Sequence, residues 1–103
     1  MSYPLKVIVL DEVEIFRKSL SEKDKSKIDA SITTMRFGEY DSIYVKPLKG
    51  VIRELIIKKF RFVFFIEKDT IYFIGAFIKK TNKTPKLEIE NALKNYKIIT
   101  NPK

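Results

Sequence analysis

Between residues 51 and 78 the chain is almost continuously apolar, β-branched or aromatic. The runs Val51-Ile-Arg-Glu-Leu-Ile-Ile57, Arg61-Phe-Val-Phe-Phe-Ile-Glu67 and Thr70-Ile-Tyr-Phe-Ile-Gly-Ala-Phe-Ile78 are separated only by Lys58-Lys59-Phe60 and Lys68-Asp69. Residues of this kind favour strands. A parallel connection needs a dozen or more residues, so gaps of two or three leave only hairpins. An antiparallel meander of three strands is therefore the frame on which the rest of the chain must fold. A short extended piece near Ile43 to Lys46 is placed to add an edge strand. Runs this apolar on both faces call for cover on both sides of the sheet.

The first half of the chain has a different period. Leu5 to Leu10 reads Leu-Lys-Val-Ile-Val-Leu, a short strand, and Asp11 follows as the expected N-cap of a helix with acids at 12 and 14. Val13, Phe16 and Leu20 lie on one helical face, and the chain breaks at Ser21, where Ser-Glu-Lys-Asp has the form of an N-cap with an acid three residues on. A second helix is expected to run to about Arg36, with Ile28, Ile32 and Met35 as its apolar stripe and Gly38 as its stop. Near the other end, Thr84-Pro85 is expected to act as N-cap and N1 of a last helix carrying Leu87, Ile89, Ala92, Leu93 and Tyr96. The predicted order is β-α-α-(β)-β-β-β-α. This is an α+β domain in which a helical hairpin and a terminal helix pack on a twisted antiparallel sheet. No internal repeat or Ser/Gly-rich linker interrupts it, so residues 1–103 are expected to form one domain.

Composition narrows the chemistry. The chain has neither Cys nor His, which excludes disulfides, thiolate metal sites, a Ser-His-Asp triad and any acid/base pair built on imidazole. No metal or cofactor is implied, and catalysis would have to use Lys, Arg, Tyr, Asp or Glu. The formal charge is +8, and its distribution is uneven. Residues 1–44 carry 7 Lys/Arg against 8 Asp/Glu, whereas residues 45–103 carry 14 against 5. Such an excess favours polyanionic partners. No apolar run approaches the roughly 20 residues that span a bilayer, and the first apolar stretch is too short and too soon followed by acids for a secretory signal. A cytoplasmic protein without membrane association is the expectation.

Two features place the basic groups. Arg53 and Arg61 interrupt otherwise apolar strands, each as either a snorkelling edge residue or a guanidinium held for phosphate. The segment Phe77-Ile-Lys79-Lys80-Thr-Asn-Lys83-Thr84-Pro85-Lys86 gathers four lysines and three hydroxyl or amide side chains in one strand-to-helix loop. It ends at a helix N-terminus, where free backbone N–H groups add positive potential. It is either a solvated basic loop or an anion site. Asp11, Glu12 and Glu14 are explained by the helix dipole. The aromatics of the meander, Phe60, Phe62, Phe64, Phe65, Tyr72, Phe73 and Phe77, are expected to be mostly core. Tyr44 and Tyr72 are the tyrosines near the basic region placed to face solvent. Gly38, Gly50 and Gly75 stand alone, so no glycine-rich phosphate loop supports nucleotide hydrolysis.

Taken together, Lys49-Gly50, Ile52-Arg53-Glu54-Leu55, Phe60-Arg61-Phe62 and Phe77-Ile-Lys79-Lys80-Thr-Asn-Lys83-Thr84-Pro85 resemble the RelE/HigB superfamily of toxin-antitoxin ribonucleases, in its phage Gp49-like, HigB-type branch. The resemblance spans nearly the whole chain, and the loop is its most specific part. It implies the compact RelE-like fold and a metal-independent endoribonuclease that cuts mRNA on the 70S ribosome. It also implies neutralisation by an antitoxin, commonly a helix-turn-helix protein. In the resemblance Arg61 grips the scissile phosphate, Lys80 stands at the end of the last strand, and Arg53 replaces a basic residue that helps activate the nucleophile. Lys79 and Lys83 add phosphate affinity, with Lys58, Lys59 and Lys86 as further RNA contacts. The tyrosine that some relatives carry just past the loop has no counterpart here, since Thr84 and Pro85 occupy that stretch, and Leu55 replaces a second strand lysine. Two other readings use the same surface: a basic module that binds RNA or the ribosome without cutting, and a domain whose groove receives an acidic protein.

Overall fold

A computed structural model describes residues 3–101. The elements are β1 (Lys6–Val9), α1 (Asp11–Lys18), α2 (Glu22–Arg36), β2 (Tyr44–Lys49), β3 (Ile52–Ile57), β4 (Phe60–Glu67), β5 (Thr70–Ile78) and α3 (Lys86–Thr100). The expected α+β architecture is present. Strands β2 to β5 form the antiparallel meander, with β2 as the edge strand anticipated near residue 43. The sheet order is β1-β5-β4-β3-β2. β1 departs from the antiparallel expectation. It pairs parallel with β5, Lys6 opposite Thr70 and Val9 opposite Phe73, because the chain leaves it through α1 and α2 and re-enters the sheet at the opposite edge.

Two short turns set the register. Ile57 pairs with Phe60 across Lys58-Lys59, and Glu67 with Thr70 across Lys68-Asp69. Both turns put a lysine in the left-handed region, Lys58 at φ 53° and Lys68 at φ 56°, where a Cβ costs roughly 1–2 kcal/mol. The register then divides the side chains. Leu55, Ile57, Phe60, Phe62, Phe64, Ile71 and Phe73 face the helical hairpin and pack with Val13, Ile28 and Met35. Ile52, Val63, Phe65, Ile74 and Phe77 face the other way and are covered by Ala92, Leu93, Tyr96 and Ile99 of α3. The aromatics of the meander are core on both faces. Phe16 of α1 meets Phe62 edge-on at 5.7 Å, and Phe65 meets Tyr96 edge-on at 4.8 Å, contacts worth about 0.5–1.5 kcal/mol each beyond burial.

Helix ends follow the sequence at one cap and depart from it at two. The Ser21 side chain accepts from the Asp24 backbone N–H, as an N-cap should. Asp11 is instead the first helical residue, with Leu10 in the cap position and no side-chain cap bond; its acid still faces the positive helix end. At α3 the cap is Pro85 and the helix begins at Lys86, because the Thr84 hydroxyl is engaged elsewhere, as described below. Gly38 ends α2 at φ +71°, a left-handed backbone that favours glycine, while the Tyr3 ring end that a Cβ would meet at 2.8 Å is exposed and can shift. The hairpin is tied by Arg17 of α1, whose Nε donates to Asp29 of α2 at 2.8 Å. Glu12 accepts from the side-chain amides of Asn91 and Asn95, joining α1 to α3. The acids of the first turn thus have a structural use beyond the helix dipole.

Candidate functional site

The β3–β4 turn and the segment after β5 come together at one end of the sheet. The Lys79 N–H donates to the Lys59 carbonyl at 2.8 Å, which lays the loop 79–85 beside the turn. Between them lies a shallow concavity of about 540 Å³ lined by Lys58, Lys59, Arg61, Lys79, Lys80, Thr81 and Asn82. Five of these seven residues are cationic. The structure thus gathers Arg61, Lys80, Lys79, Lys58 and Lys59, distant in sequence, around one opening. Lys83 stays in the same loop, where the Thr81 hydroxyl donates to its carbonyl at 2.7 Å, and Lys86 is exposed at the start of α3. Neither lines the concavity.

Arg53 does not belong to this group. It pairs with Phe64, on the helical-hairpin side, whereas Arg61 pairs with Ile56 and shares its side with Glu54. Arg53 is exposed near the half-buried Tyr40, whose phenol burial pushes up while the Arg53 cation pulls it down. The two arginines therefore act on opposite faces of the sheet. The two-residue turn sets this, because pairing Ile57 with Phe60, rather than leaving Phe60 in the turn as the sequence pattern had it, places residue 61 opposite 56 and residue 53 opposite 64.

Arg61 is held rather than free. Its Nη1 donates to the carbonyls of Lys58 at 2.9 Å and Phe60 at 3.1 Å, and its Nε lies 3.6 Å from Glu54 Oε1. The Glu54 side chain is 0% exposed and that of Arg61 14%. Nε and Glu54 Oε1 are buried without a hydrogen-bond partner, so charge rather than a hydrogen bond joins the two side chains, and Arg61 lines the concavity from this position. Glu54 is a residue the sequence reading missed as a participant. It neutralises Arg61 from below and accepts from the Thr84 hydroxyl at 3.2 Å. One buried carboxylate thereby lies against the strand arginine as an ion pair and hydrogen-bonds the far end of the basic loop. A buried carboxylate in this setting is costly unless paired, which explains why Thr84 serves it instead of capping α3. The signal was an acid in the middle of an apolar strand, on the same side as Arg61.

Lys58 contributes less charge to the opening than its position indicates. Its Nζ bonds Asp24 Oδ1 at 2.7 Å, and this bond holds the Asp24 carboxyl below the usual carboxylate range. Lys59 Nζ lies 6.0 Å from the Phe60 ring centroid. With Lys58 engaged by Asp24, Lys59, Lys79, Lys80 and Arg61 are the principal cationic groups of the concavity. Chemically it is an anion cradle, with one guanidinium held by its strand and the ammonium groups of Lys59, Lys79 and Lys80. Among the described residues no helix is long and apolar enough to cross a membrane.

The chain is thus an α+β domain with a cationic concavity at one end of its meander. Residues 15–97 match the family described as "Phage derived protein Gp49-like (DUF891)", and the chain belongs to that family. The family lies within the RelE/HigB-type toxin superfamily and usually pairs with an antitoxin, which gives the chain a toxin-like character and a toxin-antitoxin context. RelE-type toxins, to which the family is related, are endoribonucleases. No curated protein matches the chain at a significant level.

Proposed function

We propose that this chain, acting as one domain over residues 1–103, is the toxin of a toxin-antitoxin pair and cleaves mRNA on the 70S ribosome in the cytoplasm. The observation that carries the reading is the cradle itself. Arg61, Lys79 and Lys80 meet around one opening in a chain whose family belongs to a toxin superfamily. In-line attack of a ribose 2′-OH on the neighbouring phosphate, with loss of its proton, builds negative charge on a pentavalent phosphorane; the P–O5′ bond then breaks, the 5′ oxygen leaves as a protonated hydroxyl and a 2′,3′-cyclic phosphate remains. Preorganised cations lower that barrier without metal or imidazole. Arg61 is the residue assigned to the scissile phosphate, its Nη1 held by the Lys58 and Phe60 carbonyls. Lys80 is assigned to the developing charge, and Lys79 and Lys83 to flanking phosphates, with Lys59 and Lys86 as outer contacts. Arg53, on the other face, is left outside the chemistry. The partner that masks the cradle is an antitoxin, of helix-turn-helix type by resemblance to the branch.

Binding without cleavage is the second reading, favoured by Thr84-Pro85 standing where some relatives carry a tyrosine. The experiment that separates them is translation of a defined mRNA in a purified bacterial system, with 5′ ends mapped by primer extension. Arg61→Lys and Lys79→Ala/Lys80→Ala are run alongside, with a ribosome-free control. The toxin reading expects cuts within translated codons, present only with ribosomes and lost in both variants. Intact mRNA with folded wild-type protein transfers the assignment to the binding module.

A further inference from the structure

Tyr44 is 77% exposed, the most exposed large apolar or aromatic side chain among the described residues. Its place in the sheet is specific. Tyr44 pairs with Ile56, Ile56 with Arg61 and Arg61 with Phe77, and directly opposed residues project to the same side. One cross-strand row thus carries an exposed ring, a half-buried aliphatic and the arginine of the cradle. Neighbouring strands lie about 4.8 Å apart, so the Tyr44 backbone is about 10 Å from that of Arg61. A second concavity of about 250 Å³, lined in part by Tyr44, Ile56, Lys27 and Lys58, shares Lys58 with the cradle. Lys46, opposite Glu54 and exposed, adds a cation on the same side as Tyr44.

We propose that Tyr44, flanked by Ile56, is a stacking platform for a base of the single-stranded RNA whose phosphate lies at Arg61. The inference rests on the RNA reading above and adds to it a residue that binds bases. A π-face stacks on any base, so the platform supplies affinity without sequence preference. With Lys58 engaged by Asp24, Lys46 in the same strand and Lys27 in the lining of the concavity are the cations near the ring that fit a polyanion. Strand addition is a poor account of the exposure, because Pro47 removes a donor from this edge and the register shifts between Pro47 and Lys49.

The test is binding of a short single-stranded 2′-O-methyl RNA, which blocks attack by the 2′ oxygen, to the full chain by fluorescence anisotropy. Tyr44→Ala is expected to weaken binding about tenfold, with Tyr44→Phe within about twofold of wild type. The salt dependence of Tyr44→Ala should equal that of wild type, since no charge is lost, whereas Lys79→Ala/Lys80→Ala should flatten it. An abasic oligomer of equal length should bind wild type and Tyr44→Ala alike. Tyr44→Ala binding as wild type, or an equal loss with the abasic oligomer, overturns the platform while the lysine variant upholds the RNA reading. If the lysine variant also has no effect, the RNA reading fails and the platform falls with it.

Discussion

Replacing Arg61 by alanine is expected to cost the fold as much as the function. The substitution leaves Glu54, 0% exposed, with the Thr84 hydroxyl at 3.2 Å as its remaining partner. Breaking a buried ion pair from one side typically costs 3–5 kcal/mol, because the surviving charge is stranded. The Arg61 side chain keeps 14% exposure, so water reaches the site once it is removed, and about 3 kcal/mol is the appropriate figure. For a domain of this size each kcal/mol moves the midpoint by about 4–8 °C, giving a fall of roughly 12–24 °C. Thermal denaturation followed by far-ultraviolet circular dichroism at neutral pH measures it directly. Glu54→Gln/Arg61→Ala should regain about half of the loss or more, since the stranded charge is gone, and the cycle should show coupling above about 1 kcal/mol. A midpoint for Arg61→Ala within about 3 °C of wild type, or strictly additive variants, would refute the claim that Glu54 and Arg61 support each other. The functional consequence is practical. Lost cleavage in Arg61→Ala can be read as chemistry only at temperatures where the variant is folded, which is why Arg61→Lys is the better probe.

Three further outcomes follow from other parts of the molecule. Glu88 has its pKa raised, first by burial and then by the nearby Glu12 carboxylate, so its ionisation opposes folding and stability falls as pH rises through its folded value. Glu88→Gln should raise the midpoint at pH 7 and leave it unchanged near pH 3.5; equal midpoints at both would show that the charge is tolerated. Asp29 is shifted the other way, chiefly by the hydrogen bond from Arg17, so its contribution is present above the ordinary carboxylate value and lost as pH falls through its folded value. Asp29→Asn should cost under about 1 kcal/mol at pH 7, the carboxylate being half exposed, and a cost persisting at pH 2 would contradict the pairing. Lys68 sits at φ 56° in the β4–β5 turn, and Lys68→Asn, better suited to that backbone, should stabilise by about 0.5–1 kcal/mol in urea denaturation.

Much of the architecture was readable because it is written in local pattern. Periods of two and of three to four residues identified the meander, the helical hairpin and the terminal helix, and the gaps at 58–60 and 68–69 allowed only hairpins. The cradle was half legible. The cluster of lysines between Lys79 and Lys86 is visible as a string, and so is Arg61 amid apolar neighbours. That Arg53 faces away depends on the turn being the two residues Lys58-Lys59 with Ile57 opposite Phe60; the three-residue gap read from the sequence would have put both arginines on one face. Glu54 was harder, because its value lies in what surrounds it.

What the string of residues could not decide are the interactions between segments far apart in the chain. The parallel pairing of β1 with β5 depends on where the helical hairpin lets the chain re-enter the sheet. Thr84 is a good N-cap by type, yet its hydroxyl goes to Glu54, thirty positions earlier, because a stranded buried carboxylate costs more than a lost cap. Lys58 is a surface cation by type, yet it spends its charge on Asp24. Local sequence sets which backbone each segment prefers, since that preference is decided within a few residues. Which polar groups meet, and which cations remain for a ligand, is settled only when the segments pack and every buried charge must find its partner.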